Sequence, residues 1–70
     1  MIGFSVVYRD YGEWDIFQNS QRIFRIRGSV GEYYILAENQ FHDNVGPLNT
    51  IQACMSYICD LLMYEKEKEE

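Results

Sequence analysis

Three short segments divide the first 37 residues into four runs, and they constrain the fold more than any other feature. Asp10-Tyr11-Gly12, Asn19-Ser20-Gln21 and Ser29-Val30-Gly31 are each three residues long, and two of them end in glycine. A three-residue loop ending in glycine suits a type I turn followed by a left-handed residue, which joins neighbouring antiparallel strands. The runs between them alternate in polarity. Ile2, Phe4, Val6 and Tyr8 share one side of the first run, and Trp14 and Ile16 oppose Glu13, Asp15 and Phe17 in the second. Phe24 and Ile26 oppose Ile23, Arg25 and Arg27 in the third, whereas the run Tyr33 to Ala37 is apolar on both sides. A period of two marks half-buried strands, and an apolar run marks a strand packed on both faces.

Three-residue loops throughout would fix the register. Tyr8 then faces Trp14, Trp14 faces Ile26, Ile16 faces Phe24, Ile26 faces Tyr34 and Phe24 faces Leu36. These apolar pairs fall on one side, as a meander covered on one face requires. The same register sets Asp15 opposite Arg25, and Glu13 opposite both Arg27 and Arg9. A two- or four-residue loop at 28–31 would instead turn Tyr33 and Ile35 inward, and the sequence leaves both arrangements open.

Beyond the last run, a polar connector leads to Gly46-Pro47. Proline suits the first helical position, with Gly46 or Asn44 near the cap and Asn49 or Thr50 as later alternatives. Leu48, Ile51, Cys54, Met55, Ile58, Leu61 and Leu62 then fall within one helical arc. The expected fold is α+β: an antiparallel β-meander of three to four strands packed against one C-terminal α-helix. One domain is expected, with a sheet over 2–38, a connector over 39–46, a helix over 47–65 and a frayed acidic tail over 66–70.

Seventy residues bury a modest core, so self-association is one means of supplementing it. No stretch approaches the roughly 20 apolar residues of a membrane span, and the start lacks the basic and apolar regions of a signal peptide. A cytoplasmic location is expected. Cys54 and Cys59 would project roughly 140° apart on a helix, which prevents their bridging and implies reduced thiols. No ligand spacing for a metal and no phosphate-binding glycine loop is present, so neither metal nor cofactor is expected.

A helix on one side of a sheet leaves the other face open, and here that face offers Phe17, Ile23, Arg25 and Arg27, with Tyr33 as a further candidate in the three-residue-loop register. Aromatics beside arginines suit single-stranded nucleic acid. Cross-strand pairing of the arginines with Asp15 and Glu13 argues against it, as does a net charge of −5 from six basic and eleven acidic residues. An acidic mimic of nucleic acid would need its carboxylates ranked along one face, for which eleven is thin support. His42 beside Asp43 is read as a solvated loop histidine, and no nucleophile is tied to it, so an enzyme is not expected. The helix carries a second stripe, Ala53, Tyr57 and Tyr64, outside its apolar arc. Two tyrosines around a small residue make a contact patch for a protein, with a second copy as one candidate.

The acidity, the many aromatics, the segment GEYYILAEN and the ending ICDLLMYEKEKEE resemble the small accessory proteins encoded by bacteriophages. The resemblance implies host takeover or defence blocking through binding of a host protein. It transfers no site residue. The sequence reading is therefore a non-enzymatic protein-binding module, an inhibitor or adaptor, with Ala53, Tyr57, Tyr64, Phe17, Ile23, Arg25 and Arg27 as contact residues. The alternative is a nucleic-acid binder using the open sheet face.

Overall fold

A computed structural model describes the backbone of residues 3–69 and the side chains of residues 3–65. Five strands precede one helix: β1 (Ser5–Asp10), β2 (Glu13–Gln18), β3 (Gln21–Ser29), β4 (Glu32–Ala37), β5 (Val45–Leu48) and α1 (Ile51–Glu69). The sheet order is β1-β2-β3-β4-β5, each pair antiparallel, so every strand lies beside its neighbour in sequence. The architecture is the α+β meander with a C-terminal helix, with one strand more than expected.

Tight turns connect the first four strands. Asp10 pairs with Glu13, Gln18 with Gln21 and Ser29 with Glu32, so each loop holds two residues. Asn19 and Ser20 both adopt positive φ, at 54° and 65°, the mirror-image turn whose twist matches that of a hairpin. The two-residue turn at Val30-Gly31 settles the register that the sequence left open. Ile26 faces Ile35 and Phe24 faces Ala37, in place of Tyr34 and Leu36. Tyr33 and Ile35 are accordingly buried, and Tyr34 and Leu36 lie on the opposite side.

Two irregularities shift the pairing further. Between β1 and β2 the register skips Arg9, so Arg9 does not face Glu13 as expected. Between β2 and β3 it skips Ile23, with Phe17 facing Arg22 and Ile16 facing Phe24. A bulge interrupts strict alternation and bends the strand. Ile23 consequently packs against the core, which corrects its assignment to the open face.

The largest correction lies at 45–48. Val45-Gly46-Pro47-Leu48 forms the edge strand β5, so Pro47 stands in a strand and the helix starts at Ile51, not at 47. Proline lacks an N–H and is tolerated on an edge strand, where one side of the backbone needs no partner. Thr50 is the helix cap: its Oγ1 accepts from Ala53 N–H at 3.0 Å, and its carbonyl accepts from Cys54 N–H at 3.2 Å. The helical backbone continues through Glu69, beyond the expected end at 65. Ile2 and Glu70 lie outside the described residues, as do the side chains of 66–69.

The core forms between helix and sheet. Cys54, Ile58 and Leu62, four apart along one helix face, meet Ile16, Phe24, Ile26, Tyr33 and Ile35. The helix contacts run mainly to β4 and β5. On the same side of the sheet β1 is left open, with Val6 44% and Tyr8 62% exposed. Burial pushes the Cys54 thiol up, and both cysteines are free thiols.

His42 is not solvated. Its side chain is 15% exposed, its ring centre lies 5.0 Å from that of Phe24, and both ring nitrogens are engaged. Asn39 Oδ1 accepts from the N–H groups of Phe41 and His42, which fixes it as an acceptor, and Nδ1 of His42 donates to it at 2.9 Å. Nε2 lies 2.7 Å from Glu65 Oε2, clasping the connector to the helix.

Gly28 pairs with Tyr33 of β4 and has φ of +145°. A Cβ there would strike the Glu32 carbonyl oxygen and lie 2.9 Å from Tyr33 Cα. Gly31, with φ of +89°, has nothing within 4 Å of an added Cβ. Gly28→Ala should therefore cost about 2 kcal/mol or more, combining backbone strain with collision. Gly31→Ala should cost only about 1 kcal/mol. Urea unfolding of both variants checks this; equal losses would refute the close approach at Gly28.

Candidate functional site

The open sheet face is built on Asp15. Its neighbours in sequence, Trp14 and Ile16, point toward the helix, so strand alternation sends Asp15 to the other side. It is 2% exposed and is the buried charged residue among the described residues. Arginines from two strands converge on it. Arg9 Nε donates to Asp15 Oδ2 at 2.7 Å, and Arg22 Nη1 reaches the same oxygen at 3.4 Å. Arg27 Nη1 stands 3.7 Å from Oδ1, an oxygen without a hydrogen bond among the described residues. Burial alone would push the Asp15 carboxyl up. Hydrogen bonds from Arg9 and Arg22, together with their charges, outweigh it and hold the carboxyl below the ordinary carboxylate value.

Two further carboxylates complete the cluster. Glu38 Oε1 takes Arg22 Nε at 3.2 Å and Arg25 Nε at 3.3 Å, and Glu13 Oε1 takes Arg27 Nε at 3.3 Å. The Glu13–Arg27 pair is the one expected from sequence. Asp15 faces Arg25 across the strands, yet the ion pair of Arg25 is with Glu38. A guanidinium on a long side chain selects its partner by reach, not by strand register alone.

Each of the four guanidiniums thus has its Nε against a carboxylate. Of their terminal nitrogens, Arg22 Nη1 is directed to Asp15, and Arg27 Nη1 donates to the carbonyls of Trp14 and Ile26. The other terminal nitrogens have no ion-pair or hydrogen-bond partner among the described residues. All four arginines of the chain share this face with Glu13, Asp15 and Glu38, and Glu32, bonded by Tyr34 on the same side of β4, adds a fourth carboxylate, so the arginine charge is balanced within a chain of −5.

Phe17 is half-buried on this face, with the Arg9 guanidinium 6.0 Å from its ring centre. A shallow groove of about 630 Å³ runs beside them, lined among others by Ser5, Val7, Arg9, Phe17, Gln18 and Asn19. The face brings Phe17, Arg25 and Arg27 together, as the sequence indicated. Ile23 is absent from it and Arg22 joins it, because of the bulge between β2 and β3, which leaves no mark in the alternation pattern. Arg9 lies on the side that alternation gives it, with Asp15 in place of Glu13 as its partner.

The helix stripe is separate. Tyr57 is 38% and Tyr64 61% exposed, Met63 beside them is also exposed, and Ala53 is half-buried. Among the described residues no group of histidine, cysteine, aspartate and glutamate could hold a metal ion, and no helix is long and apolar enough to cross a membrane. No family model, curated protein or solved structure matches the chain.

Asp15→Asn keeps the shape and removes the charge that holds Arg9 and Arg22. Stability at pH 7 should fall by about 2 kcal/mol. The sign of the pH effect follows from the lowered carboxyl. Its contribution is complete above the ordinary carboxylate value and is lost as pH falls through the lower folded value. Urea midpoints between pH 7 and about pH 2 should therefore fall less steeply below about pH 4 in Asp15→Asn than in the wild type. Identical slopes would show that Asp15 is not the titrating group.

Proposed function

We propose that this chain is a non-enzymatic protein-interaction module, a small cytoplasmic inhibitor or adaptor, whose docking surface is the arginine face of the sheet. The observation that supports this most is the common anchoring of the four guanidiniums through Nε. Anchored this way, they lose little freedom on binding, and Arg9 and Arg25, held by Nε alone, keep both terminal nitrogens for a partner. That geometry suits carboxylates of a partner protein, which an arginine fork can take two hydrogen bonds at a time. Phe17 adds an aromatic contact beside them.

A protein partner fits better than nucleic acid because most of the positive charge is already compensated. Affinity for phosphate chains rests on releasing counterions with uncompensated cations. Four arginines set among four carboxylates, in an acidic chain, supply little of that. The resemblance to bacteriophage accessory proteins makes a host protein with an acidic surface the favoured partner, blocked or recruited by binding.

Anisotropy titration with single-stranded RNA at about 50 mM salt should show no saturable binding below about 100 µM. Micromolar binding that salt weakens and Arg25→Ala abolishes would replace the protein reading with the nucleic-acid one. For the protein reading, Arg9→Ala/Arg25→Ala should weaken host-partner capture at least tenfold, whereas Tyr57→Ala/Tyr64→Ala should leave it intact. The reverse pattern would move the interface to the helix stripe.

A further inference from the structure

The two edges of the sheet differ in a way that the docking face does not explain. β5 is four residues long and contains Gly46 and Pro47, which has no N–H to offer an added strand. β1 has none of these protections over Ser5–Tyr8: it holds no proline, no lysine and no inward charge. Its bulge comes at Arg9, at the far end, and limits any regular pairing to the stretch before it. The helix lies toward β4 and β5, and Phe4, just before β1, packs against the core cluster. Val6 and Tyr8 of β1 are exposed, and Tyr8 continues into a line of aromatic contacts. Its ring lies edge-on to Trp14 at 5.8 Å, and Trp14 lies edge-on to Tyr33 at 6.0 Å.

We propose that β1 pairs antiparallel with β1 of a second copy of this chain about a two-fold axis through Val6, joining two five-stranded sheets into one of ten strands. The sequence of the edge is complementary to itself in that register. Val6 meets Val6, Phe4 meets Tyr8 in two symmetric pairs, and Ser5 meets Val7. Alternation keeps Phe4, Val6 and Tyr8 on the core side, so the apolar ladder extends the line from Tyr33 through Trp14 and Tyr8. No charged residue opposes another within the paired stretch, and the bulged Arg9 lies just outside it. A second copy is favoured over an unrelated strand because one exposed pattern supplies both halves of each contact, the property of an isologous interface. The net charge of −5 per chain opposes association only weakly, since charges beyond about 8 Å are screened at physiological salt. The contact is a single strand edge with few large side chains, smaller than the roughly 800 Å² per partner of stable complexes, so the dimer is concentration-dependent.

The axis is normal to the sheet, so both arginine faces lie on one side of the assembly. The dimer presents eight guanidiniums, with the two grooves beside Arg9 flanking the seam. Self-association does not depend on what those faces bind.

Sedimentation across about 10 µM to 1 mM, joined to amide exchange, tests the pairing. The wild type should shift from monomer toward dimer, and alternate amides within residues 4–8 should gain protection at high concentration. Val6→Lys would set two like charges together at the axis and should return the chain to monomer, with its circular dichroism unchanged because Val6 is exposed. Arg25→Ala should dimerise as the wild type does, which separates this result from failure of the docking reading. A chain that stays monomeric to 1 mM overturns the proposal. So does dimerisation that Val6→Lys leaves intact and Tyr57→Ala/Tyr64→Ala removes, because the helix stripe would then be the contact.

Discussion

The carboxylate of Asp15, buried among guanidiniums, organises the outer half of this structure. A charge 2% exposed on a sheet face with no helix over it needs cover of its own, and the arginine side chains provide it. Removing two charges from water is costly, and the attraction between them offsets that cost only when hydrogen bonds accompany it. The 2.7 Å contact with Arg9 Nε meets that condition. Guanidiniums from β1 and β3 converge on the acid, so the same side chains neutralise it and keep it 2% exposed. The sheet therefore has two packed sides of different chemistry, one apolar against the helix and one ionic against solvent.

That division explains why a chain with an acidic total can have an arginine surface. Charge on this molecule is sorted by position. The carboxylates placed among the arginines hold Arg9 and Arg25 by Nε alone and Arg22 and Arg27 by Nε and Nη1, and the remaining terminal nitrogens are left to whatever meets the face. Net charge read from composition describes long-range behaviour and solubility. It does not describe a local surface assembled by strand register.

The parts of the fold legible in the sequence are those where alternation carried information. Trp14 and Ile16 against Phe24 and Ile26 fixed the β2–β3 register, and the structure has the same pairs. The run Tyr33 to Leu36 is apolar at every position, so alternation could not choose between registers there, and the turn at Val30-Gly31 decided. Val45 to Leu48 is too short for a period, and Gly46-Pro47 before an apolar arc carries the same signal as the start of a helix. Phe17, Arg25 and Arg27 were readable as one face. Arg9 was readable too, since alternation sets it on the side of Glu13, although its partner is Asp15; Arg22 was not, because the bulge at Ile23 changes the side it takes without changing its neighbours in sequence. His42 was misread for a related reason: Asn39 and Glu65 reach it from the connector and from a helix that begins later than its pattern suggests.

The sheet order has a kinetic consequence. Every strand pairs with the one before it, across turns of two residues in the first three hairpins, so each pairing closes a small loop. Sheets usually assemble slowly because distant segments must find one another first. Here the strands can add in chain order, each new one templated by the last. The contacts that span longer separations are those of the helix, through the core and the His42–Glu65 clasp. Docking of that helix closes the longest loops of the chain, whereas each strand pairing closes a short one.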